Sequence, residues 1–176
     1  MRGAVTLLGL CIATLACAQG DPREQFFATL KSLCGERFEG AMTFPKDTAH
    51  DMHGKKLVAI VEKCDENELR VPFLANEDRS RTWVFTKSAG GLQLKHDHRH
   101  ADGTPDSVTN YGGMARAGGS ATSQAFPADA FTAKLIPAAA TNVWTVSLSA
   151  DDSTLTYHLE RDAKPRFTAV LRRAQR

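Results

Sequence analysis

Hydrophobic and polar positions follow a helical spacing near the start of the chain and an alternating spacing over most of the remainder. Between Asp21 and Gly35 the apolar residues recur three and four positions apart, which predicts one amphipathic helix. Asp21 is a favourable N-cap, Pro22 suits the first helical turn, and Gly35 suits the C-terminal end. We therefore expect a single α-helix ahead of the first strand.

Short runs rich in β-branched and aromatic residues follow this helix and predict strands. They cover residues 57–61, 68–73, 82–86, 91–96, 142–149, 153–161 and 166–173. The last three are joined by turns so short that they must run antiparallel as neighbours. Residues 111–137 are rich in Gly and Ala and predict only one or two edge strands, with a short helix over 129–136 as an option.

This order of elements predicts a mainly β fold, an antiparallel up-and-down β-barrel with one N-terminal α-helix. Closure into a barrel removes the exposed edges that about eight short strands would otherwise present. An open two-layer sandwich is the alternative, and a ladder between the first and last strands distinguishes the two. We expect one β-barrel domain over residues 19–176.

The first 18 residues predict a signal peptide. Arg2 provides a positive start, residues 4–15 are apolar but too short to span a bilayer, and Ala16 and Ala18 suit a signal peptidase. We expect cleavage after Ala18 and a periplasmic or secreted protein, with no transmembrane segment in the mature chain. A lipoprotein anchored at Cys17 is the alternative form of export.

Cleavage of the signal peptide would change which of the four cysteines remain available for a disulfide. Cys11 and Cys17 would leave with the signal peptide, and the remaining pair, Cys34 and Cys64, predicts one structural disulfide. The formal net charge of the full chain is only +2, which gives no reason to expect a nucleic-acid partner.

Two local features resemble the calycin group, which includes the lipocalin and fatty-acid-binding barrels. Gly35-Glu36-Arg37-Phe38-Glu39-Gly40 opens the first strand, and Arg172 lies on the last. In lipocalins a Trp near the start of the first strand packs under an Arg from the end of the barrel. This chain departs from that pattern by having Phe38 instead of Trp, at a different spacing from Gly35. The resemblance implies a central cavity that holds one small apolar or amphipathic molecule.

Three of the six histidines occupy every second position in the segment KHDHRHADG, residues 95–103. Because side chains alternate across a strand, they share a face with two leucines expected to point into the core. We therefore predict that His96 and His98 enter the cavity or its rim and bind the polar end of a ligand. A turn signature follows the histidines, so a solvated strand end is the competing interpretation.

A metal site is a further alternative for this strand. Imidazoles two positions apart on one face can bind a single divalent ion if a third ligand lies nearby. Within the segment, His96, His98, His100 and Asp102 are the candidates. A divalent metal is the one cofactor that the sequence suggests.

Large apolar side chains provide the other candidates for ligand contact. We expect Leu94, Trp83, Phe85, Tyr111 and Trp144 to line the cavity with the histidines. The sequence contains no nucleophile elbow and no Gly-rich loop with phosphate- or dinucleotide-binding spacing. We therefore expect a small-molecule-binding protein without catalytic activity, and a histidine-ligated metalloprotein or metalloenzyme is the alternative.

Overall fold

The computed structural model describes residues 20–175. The predicted signal peptide, with the alternative anchor at Cys17, lies outside these residues. Neither of the two α-helices within the described range has the length and apolar character needed to cross a bilayer.

The predicted N-terminal helix forms as α1 (Pro22–Ser32). The Asp21 carboxylate caps it by accepting a 2.9 Å hydrogen bond from the backbone N–H of Arg23. Its apolar stripe, which includes Phe26, Phe27 and Leu30, is buried. The left-handed backbone needed to leave the helix occurs at Gly35, where φ is 85°.

The predicted disulfide joins Cys34, which follows α1, to Cys64, which follows the second strand. The bridge closes a segment with a sequence separation of 30. It therefore fastens the C-terminal end of α1 to the barrel wall.

Ten strands form one antiparallel sheet with neighbours in the order β6-β5-β4-β3-β2-β1-β10-β9-β8-β7. In chain order they are β1 (Arg37–Phe44), β2 (Leu57–Ile60), β3 (Glu68–Ala75), β4 (Asp78–Ser88), β5 (Gly91–His98), β6 (Tyr111–Met114), β7 (Ser123–Pro127), β8 (Val143–Leu148), β9 (Thr154–Arg161) and β10 (Lys164–Arg173). Each strand predicted from the alternating pattern is present, and β8, β9 and β10 form the expected meander.

The sheet curls into a nearly closed barrel. The first and last strands, β1 and β10, pair antiparallel, with Phe38 opposite Arg173. This ladder confirms the barrel rather than the open sandwich. The remaining gap lies between β6 and β7, where the backbone N–H of Arg116 donates to the Ala125 carbonyl at 3.0 Å. Gly113 permits this close approach, because a Cβ there would clash with the Pro127 carbonyl oxygen.

The weakly patterned segment 111–137 contains two short strands and a short helix. These are β6, β7 and α2 (Ala130–Leu135). Asp129 caps α2 through a 2.9 Å bond from the N–H of Thr132, and a 3-10 turn at Pro137–Ala139 leads into β8. Both options that the composition suggested are confirmed.

A nearly closed antiparallel barrel is consistent with a calycin-like fold, but the packing of the two marker residues differs. Phe38 is fully buried, whereas Arg172 is exposed and lies opposite Glu39 rather than against Phe38. Residues on opposite faces of β1 and β10 cannot meet, since neighbouring positions of a strand point to opposite sides of the sheet. The Arg–aromatic contact of lipocalins is therefore not formed by Arg172.

One end of the barrel is filled by α1. The ring of Phe26 lies 6.2 Å from that of Phe85 and 6.4 Å from that of Phe126, and the latter two are 5.8 Å apart. Leu92 and Leu94 of β5 are buried in the same core. We call this half the closed end, and the opposite half, where the core gives way to a cavity, the open end.

Candidate ligand-binding cavity

A cavity of about 300 Å³ occupies the open end. Its deeper walls are mainly aromatic and its rim is mainly polar. The aromatic and imidazole side chains are Phe73, Trp83, His96, His98, Tyr111, Trp144, Tyr157, Phe167 and His50. The other lining residues are Asp51, Met52, Arg81, Ile136, Ala139, Asn142, Leu159 and Arg161.

Strand alternation explains this lining. On β4 the inward positions run from Phe85 in the closed end to Trp83 and then Arg81 at the cavity. On β9 the same rule places Tyr157 in the cavity wall and Arg161 at the strand's end. On both strands the inward face therefore carries apolar residues in the closed end and an arginine at the rim of the open end.

His96 is the most deeply buried polar group of the cavity, with 3% of its surface exposed. Its Nδ1 lies 3.1 Å from the Tyr111 carbonyl oxygen, and its Nε2 lies 2.7 Å from the Tyr157 hydroxyl. Because a carbonyl oxygen can only accept, Nδ1 must carry the proton and donate. Nε2 therefore accepts from the Tyr157 hydroxyl, which fixes both the tautomer and the ring orientation.

Burial decides the ionisation of this pair. It lowers the pKa of His96 to about 3 and outweighs the hydrogen bond to the Tyr111 carbonyl, which by itself would raise that pKa. Burial likewise raises the pKa of Tyr157 well above its usual range. The pair thus combines a weak base with a phenol that holds its proton, which suits a fixed hydrogen-bond pattern better than proton transfer.

Tyr111 and His98 form a second tyrosine–histidine contact nearer the rim. The Tyr111 hydroxyl lies 2.9 Å from His98 Nε2, and its ring stacks on His96 at 4.7 Å with an interplanar angle of 11°. Burial raises the pKa of Tyr111 to about 12. Burial, followed by the charge of Arg81, lowers the pKa of His98. Both side chains are therefore neutral near pH 7.

Flat side chains lie in the cavity wall and support one another. Trp83 packs on both Phe73 and Tyr157, with ring centroids 4.7 Å and 4.5 Å away, and only 2% of its surface is exposed. Trp144 lies 5.1 Å from the ring of His96 and 5.8 Å from that of Tyr111. Such surfaces bind planar apolar groups by burial and by offset or edge-on ring contacts.

The rim carries two arginines in different surroundings. Arg81 Nη1 is 2.6 Å from the Asp78 carboxylate, so its charge is already paired. Arg161 donates through Nε to the amide oxygen of Asn142 at 2.8 Å, which leaves its charge without a carboxylate partner among residues 20–175.

Most of the predicted ligand-binding residues meet around this cavity. His96, His98, Trp83, Tyr111 and Trp144 all line it. The solvated-strand interpretation does not fit His96, which is buried. Two predicted residues lie elsewhere: Leu94 and Phe85 are fully buried in the core of the closed end and do not line the cavity.

The alternative metal ligands are not gathered in one place. His96 already uses both ring nitrogens, His100 is exposed, and Asp102 accepts a 2.9 Å bond from the backbone of Thr104 within a turn. Within residues 20–175 no group of three His, Cys, Asp or Glu side chains is placed to hold a metal ion.

Several lining residues were not predicted from the sequence, and three of them, Tyr157, Arg81 and Arg161, determine the polar character of the cavity. Alternation along 153–161 did place Tyr157 on the core face, so a signal for its burial existed. Its pairing with His96 joins residues 61 positions apart and depends on the barrel's register. Arg161 gave no signal, because a charged residue at a strand end is usually solvated.

Comparisons with protein-family models, with curated proteins and with solved structures found no match for this chain. Any assignment of function therefore depends on the geometry of the cavity and on general physical chemistry.

Proposed function

We propose that this protein binds one small, mainly apolar or amphipathic molecule in the cavity at the open end of its barrel, without transforming it. The observation that carries the proposal is the cavity of about 300 Å³ with walls of Trp, Tyr and Phe. This volume lies at the small end of the range typical of ligand sites, and such sites are mostly apolar with a few placed polar groups.

The polar groups in the cavity support binding rather than catalysis. His96 and Tyr157 satisfy one another, and His96 is further fixed by a backbone carbonyl. A hydroxyl–imidazole pair oriented by a third group is a geometry that nucleophilic enzymes use. Here, however, the lowered pKa of His96 and the raised pKa of Tyr157 oppose activation of the hydroxyl.

We further propose that the protein acts outside the cytoplasm. The Cys34–Cys64 disulfide supports this, because structural disulfides persist mainly in oxidising compartments. The predicted signal peptide over residues 1–18 provides a route.

Binding can be tested with N-phenyl-1-naphthylamine, an uncharged aromatic probe whose fluorescence rises in apolar surroundings. We expect saturable one-to-one binding to the purified protein. Ile136→Trp should abolish it, because Ile136 lines the cavity and a larger ring there fills the space. Phe131→Trp is the matched control, since Phe131 belongs to the adjacent helix but is 52% exposed and outside the cavity. Equal binding by both variants, or none by the wild type, would refute the proposal.

Export can be tested by expressing the full chain with its own N-terminus and measuring the intact mass of protein from the periplasm and medium. We expect a chain that starts at Gln19 and is two hydrogens lighter than the reduced form. Protein that stays in the cytoplasm at full length would contradict export without affecting the binding proposal.

A further inference from the structure

Arg161 is the arginine at the rim that has no carboxylate partner within residues 20–175. Its Nε donates to Asn142, which is a neutral amide, and no carboxylate of residues 20–175 forms an ion pair with it. Asn142 is itself 4% exposed, so this contact fixes the guanidinium from a rigid neighbour. The remaining N–H groups of a planar guanidinium match the two oxygens of a carboxylate.

The other charges at the cavity do not compensate Arg161. Arg81 is engaged with Asp78. Among residues 20–175, Asp51 is the one carboxylate that lines the cavity; its side chain is 68% exposed and lies 3.2 Å from His50. The inward face of the rim therefore favours an anion over a cation.

The depth of the cavity limits the size of the apolar group that a bound anion can carry. Its deep wall is the layer of Trp83, Trp144 and Tyr157, and the ring cluster around Phe26 fills the barrel beyond. Arg161 lies four residues from Tyr157 on β9, roughly 13 Å along the strand, and its long side chain shortens that span. The available length accommodates a ring system and a head group but not the extended chain of a long fatty acid.

These three features identify a chemical class, and this inference rests on the proposed binding function. We propose that the cavity selects planar aromatic carboxylates, with the ring held against Trp83, Trp144 and Tyr157 and the carboxylate bound by Arg161. The aromatic wall provides affinity for the ring, and the charge of Arg161 provides preference for the anion. Long aliphatic acids fit neither the flat walls nor the closed floor.

Three compounds separate the contribution of the carboxylate from that of the ring: 2-naphthoate, its uncharged analogue 2-naphthamide, and octanoate. Each is titrated by calorimetry at pH 7.5 and as a competitor of N-phenyl-1-naphthylamine. We expect 2-naphthoate to bind about tenfold more tightly than 2-naphthamide, as one charge-assisted hydrogen-bonded contact provides. It should also bind more tightly than octanoate, which has the carboxylate but no ring to lie against the aromatic wall. 2-Naphthylmethylamine should bind less tightly than the amide.

Arg161→Gln tests the assigned partner. We expect it to weaken 2-naphthoate about tenfold and to leave 2-naphthamide within about twofold. Arg172→Gln is the matched control, because it removes the same charge from an exposed position on β10 and should change neither. Arg161→Lys retains the charge and should recover part of the preference for the anion. If Arg161→Gln does not fold, the wild-type comparison of acid and amide decides the inference alone.

The outcomes separate this inference from the proposed function. If the neutral probe binds but acid and amide bind equally, or if Arg161→Gln weakens both to the same degree, the ligand class is wrong and the binding function stands. If octanoate binds as tightly as 2-naphthoate, selection for a ring is wrong. If neither probe nor naphthyl compound binds, both proposals fail together.

Discussion

The two ends of the barrel differ in how their inward side chains are satisfied. At the closed end, Phe26 of α1 packs against Phe85 and Phe126, and the strands contribute mainly leucines and valines, with the buried Gln124 of β7 as a polar exception. At the open end, the same strands present Trp83, His96, Tyr157 and arginines around a space of about 300 Å³. The same sheet thus surrounds a packed apolar core at its closed end and a cavity at its open end.

We therefore expect the closed end to contribute most to the stability of the fold and the open end to determine ligand binding. Filled apolar packing contributes directly to the free energy of unfolding, whereas cavity walls forgo some contacts that a filled core would make. The polar groups at the open end are held by specific hydrogen bonds, so they are fixed without being closely packed. Substitutions at the two ends should therefore differ in size and in kind.

The largest expected effect is at the closed end. Phe26→Ala removes a fully buried ring that touches two others, and we expect the free energy of unfolding to fall by about 3–5 kcal/mol. Urea denaturation monitored by tryptophan fluorescence measures it. Phe131→Ala, at an exposed ring on α2, should cost less than about 1 kcal/mol. Similar losses for the two variants would remove the basis for calling α1 the core of this end.

The disulfide should rank second. Replacing Cys34 and Cys64 together by Ser releases the segment that the bridge closes, and we expect a loss of about 3 kcal/mol. The comparison is urea denaturation of the double variant against the oxidised wild type. Because the bridge lies beside α1 and not in the cavity wall, affinity for the neutral probe should be unchanged in the folded double variant. Lost affinity in folded protein would show that the two ends are coupled.

The pH dependence of stability should report His96 at the open end. Its pKa is lowered to about 3 in the folded protein and is near 6.5 in the unfolded chain, so the unfolded state binds the extra proton first. Its contribution is complete above about pH 6.5 and decreases by roughly 1.4 kcal/mol per pH unit as the pH falls toward 3.

His96→Gln should remove that part of the slope, because Gln does not titrate and its carbonyl oxygen can accept from Tyr157. Unfolding free energies at pH 7, 6 and 5 measure the difference in slope between the variant and the wild type. Parallel curves would mean that His96 becomes protonated without penalty in the folded state, which would contradict its burial.

The smallest expected losses of stability compare a deeply buried tyrosine of the open end with a tyrosine nearer the rim. Tyr157→Phe removes the donor to His96 Nε2 in a buried position, and we expect a loss of about 1–2 kcal/mol. Tyr111→Phe removes a contact to His98 near the rim, where water can replace the hydroxyl, and should cost less than about 1 kcal/mol. Thermal unfolding of both variants at pH 7 makes the comparison, and a reversed order would contradict the depth assigned to these two pairs.

Much of the fold could be predicted because its signals are local. The cap at Asp21, the alternation along β5 and the short turns between β8, β9 and β10 each act within a few residues. Closure followed from the cost of exposed strand edges. The inward direction of His96 followed from its spacing to the neighbouring leucines.

The composition of the cavity was less predictable because it depends on contacts between distant strands. Tyr157 meets His96 across the barrel, and Arg161 meets Asn142 at the end of the neighbouring strand β8. Periodicity does not show at which position along each strand the filled core ends. It also does not show how α1 fits into that core. Leu94 and Phe85 were therefore expected at the cavity but lie in the core that supports it.

The difference between the two ends can be tested most directly by mapping a bound ligand with two-dimensional ¹H–¹⁵N NMR. Saturating N-phenyl-1-naphthylamine should shift the indole N–H signals of Trp83 and Trp144 and the amides near His96 and Tyr157, because these residues line the cavity. The amides of α1 from Arg23 to Ser32 should keep their positions. Shifts concentrated on α1 or on the outer face of the barrel, or no shifts at all, would contradict the assignment of the open end as the binding site.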